Sequence, residues 1–411
     1  MSDGHDAPGA AAAPLPGREP APPRHAPGRR LLRRAVLYAI ALVVLCLVAA
    51  IPAAFVSVPY YAVTPGSGVD VESLIGVPKG LAHAHLGSVL LTDVELVPLR
   101  ALSYLYYKLD PEVDVVPTAE VLGGASGSQY ERQGEIDMAN ARQAAVVVAL
   151  DELGYKVRAV PNGVIVYQPE RGSPAARGLA VGDVIDSLDG RPVRTLLGLE
   201  SALGGHRPGA VVRLGLRGMF STVQRSVQLR LGELRVKGTG PGATEVCAAP
   251  GSDTLLPPFE ENGAPAPCLG IVGAEQSYST RGLPFEVSLS SDGIVGPSAG
   301  LAFALGLIEK LDRSDLTAGL KVAATGTISV DGQVGPVGGV AQKAVAVSRA
   351  GASVFFVPSG QLGQARRHAG PHLTVLAVST IGQAIADLEQ LGGRIAPPSV
   401  DHGGPRLTTR A

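Results

Sequence analysis

The chain has 411 residues, enough for two or three domains that each bury a core of their own. A formal net charge of −1 and the lack of any long basic run argue against a nucleic-acid partner. Tryptophan is absent and only 4% of residues are aromatic, whereas glycine and proline are abundant, a composition typical of short strands and many turns.

The N-terminal 60 residues divide into a tail and an apolar run. Residues 1–30 are rich in alanine, proline and glycine, which predicts a disordered cytoplasmic tail. The uncharged run over residues 35–58 follows four arginines and is long enough to cross about 30 Å of hydrocarbon. Because the basic residues precede the run, we expect a single-pass membrane helix with its N-terminus in the cytoplasm. A signal peptide cleaved near Val48-Ala49-Ala50 is the alternative.

Short apolar runs and turns follow the predicted membrane helix. They predict a strand over residues 87–94 and helices over residues 98–108 and 135–153. We expect the whole of residues 60–152 to form an extracytoplasmic α/β region that packs on the next domain.

Two histidines in this region, His83 and His85, are the right residue type for a metal site. No further ligand residues lie close to them in the sequence, so we expect surface histidines and no metal.

Residues 172–193 carry the run GSPAARGLAVGDVIDSLDGRPV, which includes an Asp-Gly hairpin signal. This run resembles PDZ domains, and the resemblance implies a β-rich domain with two helices over residues 153–235. PDZ domains add a peptide as an extra strand and hold its terminal carboxylate in a loop. A packing module that binds no peptide is the alternative.

The resemblance also implies where a peptide would dock. The carboxylate loop maps onto Leu153, Gly154 and Tyr155, although Glu152 stands where the family has glycine. The docking strand maps onto residues 156–160, and residues 196–203 become the helix that faces it.

Residues 238–268 are rich in glycine, proline and acidic residues, which predicts an exposed loop insertion. Cys247 and Cys268 lie there, on the predicted outer side of the membrane, where oxidising conditions permit a disulfide. A bridge between them and two free thiols both fit the sequence. Cys46 lies inside the apolar run and is expected to be a small apolar residue.

The stretch Gly-Pro-Ser-Ala-Gly at residues 296–300 is followed by an apolar run with helical spacing. A serine at the start of a helix has backbone N–H groups beside its hydroxyl, and these can stabilise an oxyanion. Ser298 is therefore a candidate nucleophile, with the N–H groups of Ser298 and Ala299 as candidate oxyanion donors. A plain helix N-cap is the alternative for Ser298.

Lys343 follows a glycine pair and lies among alanines and valines near the start of a second predicted helix. Desolvation and the positive end of the helix dipole both lower the pKa of such an amine. A lysine tuned in this way can accept a serine proton. A lysine whose stem merely covers apolar surface is the alternative.

The two segments LPFEVSLSSDGIVGPSAGLAFALGL and VAATGTISVDGQVGPVGGVAQK together resemble the proteolytic domain of Lon proteases. The resemblance covers residues 269–391 and implies an α+β fold like domain 2 of ribosomal protein S5. It implies that Ser298 is the nucleophile, Lys343 the general base, and Thr325 the residue that hydrogen-bonds near the lysine.

Two departures from Lon proteases qualify the resemblance. The chain contains no phosphate-binding Gly-x-x-x-x-Gly-Lys-Ser/Thr loop, so we expect no ATP and no cofactor. Val295 stands where many Lon enzymes have an acidic residue three positions before the serine. The order of anchor, PDZ module and Lon-type domain is instead similar to membrane-bound, ATP-independent Lon-like proteases of Gram-positive bacteria.

The sequence thus predicts an α+β multidomain chain that ends in a disordered tail over residues 392–411. Its predicted function is a membrane-tethered serine endopeptidase that cleaves exported polypeptides with help from the PDZ domain, in a cell-membrane location. The expected partners are protein or peptide substrates and the membrane, and self-association stays open. An extracytoplasmic PDZ scaffold with a vestigial Lon-like domain is the alternative, and a small-molecule kinase is a more distant one.

Overall fold

The computed structural model describes residues 28–53, 55–157, 159–218, 223–237, 244–250, 260–261, 264–279 and 283–396. Most of both predicted disordered tails, residues 1–27 and 397–411, lies outside these ranges. The described helices are α1 (Gly28–Ala53), α2 (Ala101–Lys108), α3 (Thr118–Leu122), α4 (Gly127–Glu152), α5 (Leu196–Gly204), α6 (Gly300–Leu311), α7 (Val340–Arg349), α8 (Leu362–His368) and α9 (Ile381–Gln390).

The described strands fall into three stretches of the chain. The first holds β1 (Ser57–Asp70), β2 (Ile75–Gly76), β3 (Ser88–Arg100) and β4 (Asp114–Pro117). The second holds β5 (Val160–Pro169), β6 (Asp183–Leu188), β7 (Arg191–Pro192), β8 (Val211–Gly218), β9 (Gln224–Arg230), β10 (Gly232–Lys237), β11 (Thr244–Ala248), β12 (Glu260–Glu261), β13 (Ala264–Pro265), β14 (Pro267–Cys268) and β15 (Ile271–Ser279). The third holds β16 (Ser288–Leu289), β17 (Lys321–Ala324), β18 (Thr327–Ile328), β19 (Val334–Gly335), β20 (Val354–Pro358) and β21 (Thr374–Val378).

The described residues before Ser57, together with Arg100–Leu102, form the first compact unit. Its α1 overlaps the predicted membrane helix but has different bounds, since it begins at Gly28, before all four arginines, and β1 already starts at Ser57. Within the described ranges, no helix is both long and apolar enough to cross a membrane. The predicted spanning helix over residues 35–58 is therefore not found in the structure.

The second compact unit contains a six-stranded sheet in the order β21-β20-β17-β3-β1-β4. Its members β21, β20, β17 and β3 are parallel, and β4 runs antiparallel to β1. Half of this sheet thus comes from the region before residue 118. That corrects the expectation that residues 60–152 form a separate region and that residues 269–391 form the C-terminal domain alone.

Alternate residues of this sheet pack on opposite faces. Val89 and Leu91 point into a large core with α4, α6 and α9, whereas Leu90 and Ala323 point into a second core with α7 and α8. A central parallel strand covered on both sides needs apolar residues at every position, which β3 provides at its start. The sheet therefore separates α6 from α7.

The second large sheet, in the order β15-β5-β6-β8-β9 with β7 beside β6, carries the predicted PDZ segment. Its core contains residues from four strands and from α5, among them Val164, Ile185, Leu199, Leu214 and Leu229. The strand β15 pairs antiparallel along β5. It was expected to open the C-terminal domain, so the PDZ sheet extends beyond the predicted end at residue 235.

Parts of the predicted loop insertion, residues 238–268, are ordered strands. Both β11 and β14 pair with β10 to form a three-stranded sheet. A disulfide joins Cys247 to Cys268, with their Cα atoms 5.9 Å apart, and both residues are buried. The bridge, rather than two free thiols, is the form that the structure contains.

The long helix α4 begins eight residues before the predicted start at Glu135. Ser126 and Gln129 form a capping box, a start signal that the apolar periodicity alone does not include. The predicted helix over residues 98–108 is shorter than expected, because β3 continues to Arg100 and α2 begins at the next residue.

The start of the predicted C-terminal tail also departs from expectation. The N–H of Arg394 donates to the Asp315 carbonyl at 2.8 Å, and Ile395 packs on the large core. The described residues up to 396 therefore belong to the folded unit.

Candidate active site

The serine turn precedes α6. Gly296 has φ of +93°, a conformation that favours glycine, and Pro297–Ala299 form one 3₁₀ turn before the helix. The helix behind it is apolar from Gly300 to Ile308 and buried from Gly300 to Glu309. Gly296 and Ala299, rather than Ser298, are the N-cap residues of the 3₁₀ turn and of α6. The Ser298 hydroxyl instead contacts a lysine.

That lysine is Lys343. Its Nζ lies 2.7 Å from the Ser298 Oγ. Gly339, with φ of +65°, allows the chain to turn into α7, which places Lys343 in the first helical turn. The side chain is only 2% exposed.

Thr325 completes the contact. Its Oγ1 accepts a hydrogen bond from the Lys343 Nζ at 3.2 Å and donates to the Ser298 carbonyl at 3.2 Å. The next residue, Gly326, donates its N–H to the same carbonyl at 3.0 Å. The loop after β17 therefore fixes both the serine backbone and the lysine amine.

Burial lowers the pKa of Lys343 from 10.5 to about 8, and the nearby charge of Asp93 opposes that shift. An ammonium has three donors and needs water or acceptors, so removing it from solvent favours the neutral amine. An amine with a pKa near 8 can take up a proton from a serine hydroxyl near neutral pH.

The structure thus brings together Ser298, Lys343 and Thr325, which the sequence places far apart. The backbone N–H groups of Ser298 and Ala299, the candidate oxyanion donors, lie at the N-terminal end of α6. The positive end of that helix dipole adds to their field.

Comparison with known proteins assigns this part of the chain. Residues 289–387 match the family model for the Lon protease (S16) C-terminal proteolytic domain. A Lon protease of Geobacter metallireducens is 32% identical over 120 residues, which is 28% of this chain and 14% of that protein. One from Clostridium beijerinckii is 32% identical over 114 residues, 26% of this chain and 13% of that protein.

Residues 152–219 match the PDZ domain family model. The chain therefore contains a PDZ segment and a Lon-type proteolytic segment. It spans only about a seventh of the length of the Lon relatives it matches.

Two solved structures also match parts of the chain. The PDZ domain of the SdrC-like protein from Listeria monocytogenes is 25% identical and covers 22% of this chain and 94% of that one, with a TM-score of 0.18. A protein from Geobacillus thermodenitrificans is 30% identical and covers 17% and 79%, with a TM-score of 0.15. At TM-scores this far below 0.5, neither likeness carries an argument.

The predicted carboxylate loop of the PDZ domain lies elsewhere than expected. Leu153 ends α4 and is buried in the large core beside α6. Tyr155 packs edge-to-face on Phe285. Leu153 and Tyr155 therefore pack in the core of the protease sheet, with the exposed Gly154 between them, which corrects the assignment of this segment to a peptide site.

A groove of about 1100 Å³ lies instead beside α5, the helix that was expected to face the peptide. Leu199 and Leu203 line its helical side, and Leu269, Gly270 and Ile271 line the other. The segment Leu269-Gly270-Ile271, which ends at the first residue of β15, is similar to the segment Leu153-Gly154-Tyr155 that was expected to form the carboxylate loop. The sequence signal for this loop is the Leu-Gly pair directly before a strand. This pair was missed in the sequence because it follows the predicted insertion and was assigned to the next domain.

The backbone N–H and carbonyl of Ile271 do not pair with β5. The Glu170 N–H donates to the Gly270 carbonyl at 2.8 Å, and Ile271 lies opposite Pro169. In an antiparallel ladder this pattern points the N–H and carbonyl of Ile271 away from β5. They point to the outer edge of β15, which is the last strand on this side of the described sheet.

At the other end of α6, the described residues contain a group of potential metal ligands. His85, Glu309 and Asp315 offer atoms within 4.8 Å of one another. Glu309 accepts hydrogen bonds from the Leu316 N–H at 2.9 Å and the Thr317 hydroxyl at 2.7 Å. These hydrogen bonds stabilise the turn after α6 and satisfy the buried Glu309 carboxylate. His85 is half-buried in this group rather than on the surface.

The depressed pKa of Lys343 makes a prediction about stability. Below pH 8 the folded protein must carry a buried ammonium, which costs about 3 kcal/mol relative to the unfolded chain. The unfolded chain binds more protons between pH 8 and 10.5, so this cost disappears as pH rises through that window. Lys343→Met should therefore stabilise the protein at pH 7 by up to about 3 kcal/mol and by much less at pH 10.

Urea unfolding of both proteins at the two pH values measures this difference. The control is Lys108→Met, which removes an exposed lysine and should change stability by the same small amount at both pH values. An equal effect of Lys343→Met at pH 7 and pH 10 contradicts a depressed pKa.

Proposed function

We propose that this protein is an ATP-independent serine endopeptidase that works through a Ser298–Lys343 dyad. The observation that carries the proposal is the 2.7 Å contact between a serine hydroxyl and a buried lysine amine. A serine without a base is a weak nucleophile, and an adjacent base activates it. No phosphate-binding loop occurs in the sequence, which supports catalysis without nucleotide.

In the first half of the reaction the neutral amine of Lys343 removes the proton from the Ser298 hydroxyl. The serine oxygen bonds to the substrate carbonyl carbon, and the carbonyl π electrons move to its oxygen. The N–H groups of Ser298 and Ala299 stabilise that oxyanion. The ammonium of Lys343 then gives its proton to the leaving amine as the peptide C–N bond breaks.

In the second half, water attacks the acyl-enzyme. Lys343 takes a proton from the water and returns it to the Ser298 oxygen when the ester bond breaks. Thr325 holds the amine in line for both steps through its hydrogen bond to Nζ. The catalytic cycle thus begins and ends with a neutral lysine.

A cavity of about 670 Å³ beside the serine turn offers room for the substrate. It is lined by Pro297 and by residues of β18 and β19, including Ile328 and Val334. These apolar residues suit an unfolded or extended polypeptide that presents apolar side chains.

We further propose that the groove beside α5 binds the C-terminus of a polypeptide. The outward N–H of Ile271 and the apolar residues Leu199 and Leu203 support this, since PDZ domains bind peptides by strand addition at such an edge. Polypeptides that end in an apolar residue are the substrate class that fits the groove.

We also propose that the chain is tethered to the outer side of a cell membrane and acts on exported polypeptides. The support comes from the sequence, where an uncharged run over residues 35–58 follows four arginines. The disulfide between Cys247 and Cys268 is typical of proteins in oxidising compartments.

Ser298→Ala should abolish cleavage of casein by the full chain without nucleotide, by at least about a thousandfold in kcat. For the active protein, kcat/KM should rise about tenfold per pH unit up to about pH 8 and then level off, because only the neutral amine of Lys343 acts as a base. Peptide release across pH 6–9.5 measures both effects.

The matched control is Ser128→Ala, which removes an exposed serine and should keep full activity. Cleavage that survives Ser298→Ala would show that another group is the nucleophile. Absence of cleavage by the unaltered protein, with peptide binding retained, would favour the PDZ scaffold.

A peptide with an apolar C-terminal residue and a free carboxylate should bind the Ser298→Ala protein at least about tenfold more tightly than the same peptide amidated at its C-terminus. The reason is the loss of charge-assisted hydrogen bonds to the loop backbone. Fluorescence anisotropy measures both affinities, and equal binding of the two peptides rules out carboxylate capture.

The full chain expressed in a bacterium should stay in the membrane fraction after an alkaline wash. A protease added to the outside of protoplasts should digest it. Replacing Leu42, Val43 and Val44 by aspartate should release the chain into the soluble fraction, because charges inside a bilayer are costly. An unaltered chain that is washed off the membrane contradicts the tether.

A further inference from the structure

We propose that the hydroxyl of Thr92 is a positioning group for Lys343, which accepts a hydrogen bond from its amine once the lysine has taken the serine proton. This inference rests on the proposed Ser298–Lys343 mechanism and adds a residue from the N-terminal half of the sheet.

Thr92 is buried but unsatisfied. Its side chain is 2% exposed, and its Oγ1 has no hydrogen-bond partner within the described part of the chain. A buried hydroxyl without a partner costs stability, and a valine of the same shape avoids that cost. A buried polar group without a partner is uncommon in folded proteins, and a role in catalysis is one explanation for it.

The strand β3 aims Thr92 at α7. Two residues before it, Leu90 packs in the core formed with Val340 and Ala344. Two residues after it, a methyl carbon of Val94 lies against Gly339, 2.7 Å from where a Cβ would stand. Side chains two apart in a strand share a face, so Thr92 faces α7 between these two contacts.

The neighbouring strand brings the lysine amine to the same place. Leu91 of β3 lies opposite Ala324 of β17, so the next pair in this register is Thr92 and Thr325. Adjacent parallel strands are about 5 Å apart, a separation that one water molecule or a small swing of the amine spans. Thr325 already accepts a hydrogen bond from the Lys343 Nζ.

The Lys343 amine has more N–H donors than its two described contacts can accept. A neutral amine has two N–H donors and one lone pair, and the contacts to Ser298 and Thr325 account for two of these positions. The remaining N–H has no acceptor among these contacts. The lack of an acceptor costs more once the serine O–H bond breaks and the third Nζ–H bond forms, because the amine then carries a charge in a site closed to bulk water. Thr92 provides the third acceptor, directly or through one water.

The other groups around the amine do not fill this role. On α7, the neighbours Val340, Ala344 and Val347 are apolar. Asp93 is the charged group that favours the ammonium, and its Oδ1 is held by the Ser67 N–H at 2.7 Å. Asp93 follows Thr92 in the strand, so its side chain points to the opposite face.

Thr92→Val tests the inference. We expect kcat for peptide cleavage to fall by about ten- to a hundredfold with KM unchanged, which matches the loss of one hydrogen bond to a charged group. The alkaline plateau of the pH–rate profile should also begin at lower pH, because removal of an acceptor for the ammonium lowers the pKa of Lys343. The urea midpoint should stay the same or rise.

Thr92→Ser is the matched variant, since it keeps the hydroxyl and should retain kcat within about threefold of the unaltered protein. A Thr92→Val protein with unchanged kcat and pH profile overturns the inference, as does a loss of activity that Thr92→Ser shares. If the unaltered chain itself cleaves nothing, the proposed peptidase function has failed instead, and the two failures are therefore distinct.

Discussion

A lysine amine held away from water against a serine hydroxyl is the contact on which the rest of this structure depends. Such an amine must be shielded from solvent, and the protein achieves this by packing α7 on one face of a sheet and α6 on the other. Lys343 reaches Ser298 beside the end of β17, where Thr325 contacts both. Burial beside this sheet lowers the pKa of the amine, as the proposed mechanism requires of its base.

The helix α4 connects this site to the PDZ sheet. Ile136 packs with Ile165 and Val184 of the PDZ sheet, while the next turns of the helix pack on α6. The carbonyl of Gly134 accepts a hydrogen bond from the Gly296 N–H at 2.8 Å, directly before the serine turn. The two domains thus share α4, and the serine turn is hydrogen-bonded to this helix.

The parts of the site that could be predicted from the sequence are those set by local signals. Glycine and proline before an apolar helical run mark the turn of Ser298, and a glycine pair marks the start of α7 before Lys343. Pairing between distant strands leaves no such local mark. The sequence therefore did not reveal that β3 joins β17 or that β15 joins β5, and it led to Leu153 rather than Leu269 as the loop of the PDZ groove.

The order of the strands along the chain determines when the sheet can form during synthesis. The central strand β3 is made early during synthesis, but its partner β17 and the helix that carries Lys343 come from the last third of the chain. Contacts this distant in sequence form late and slowly. A nascent chain that has emerged only as far as Ser298 has neither its base nor its closed sheet. The topology thus withholds the base of the proposed dyad until most of the chain has been synthesised.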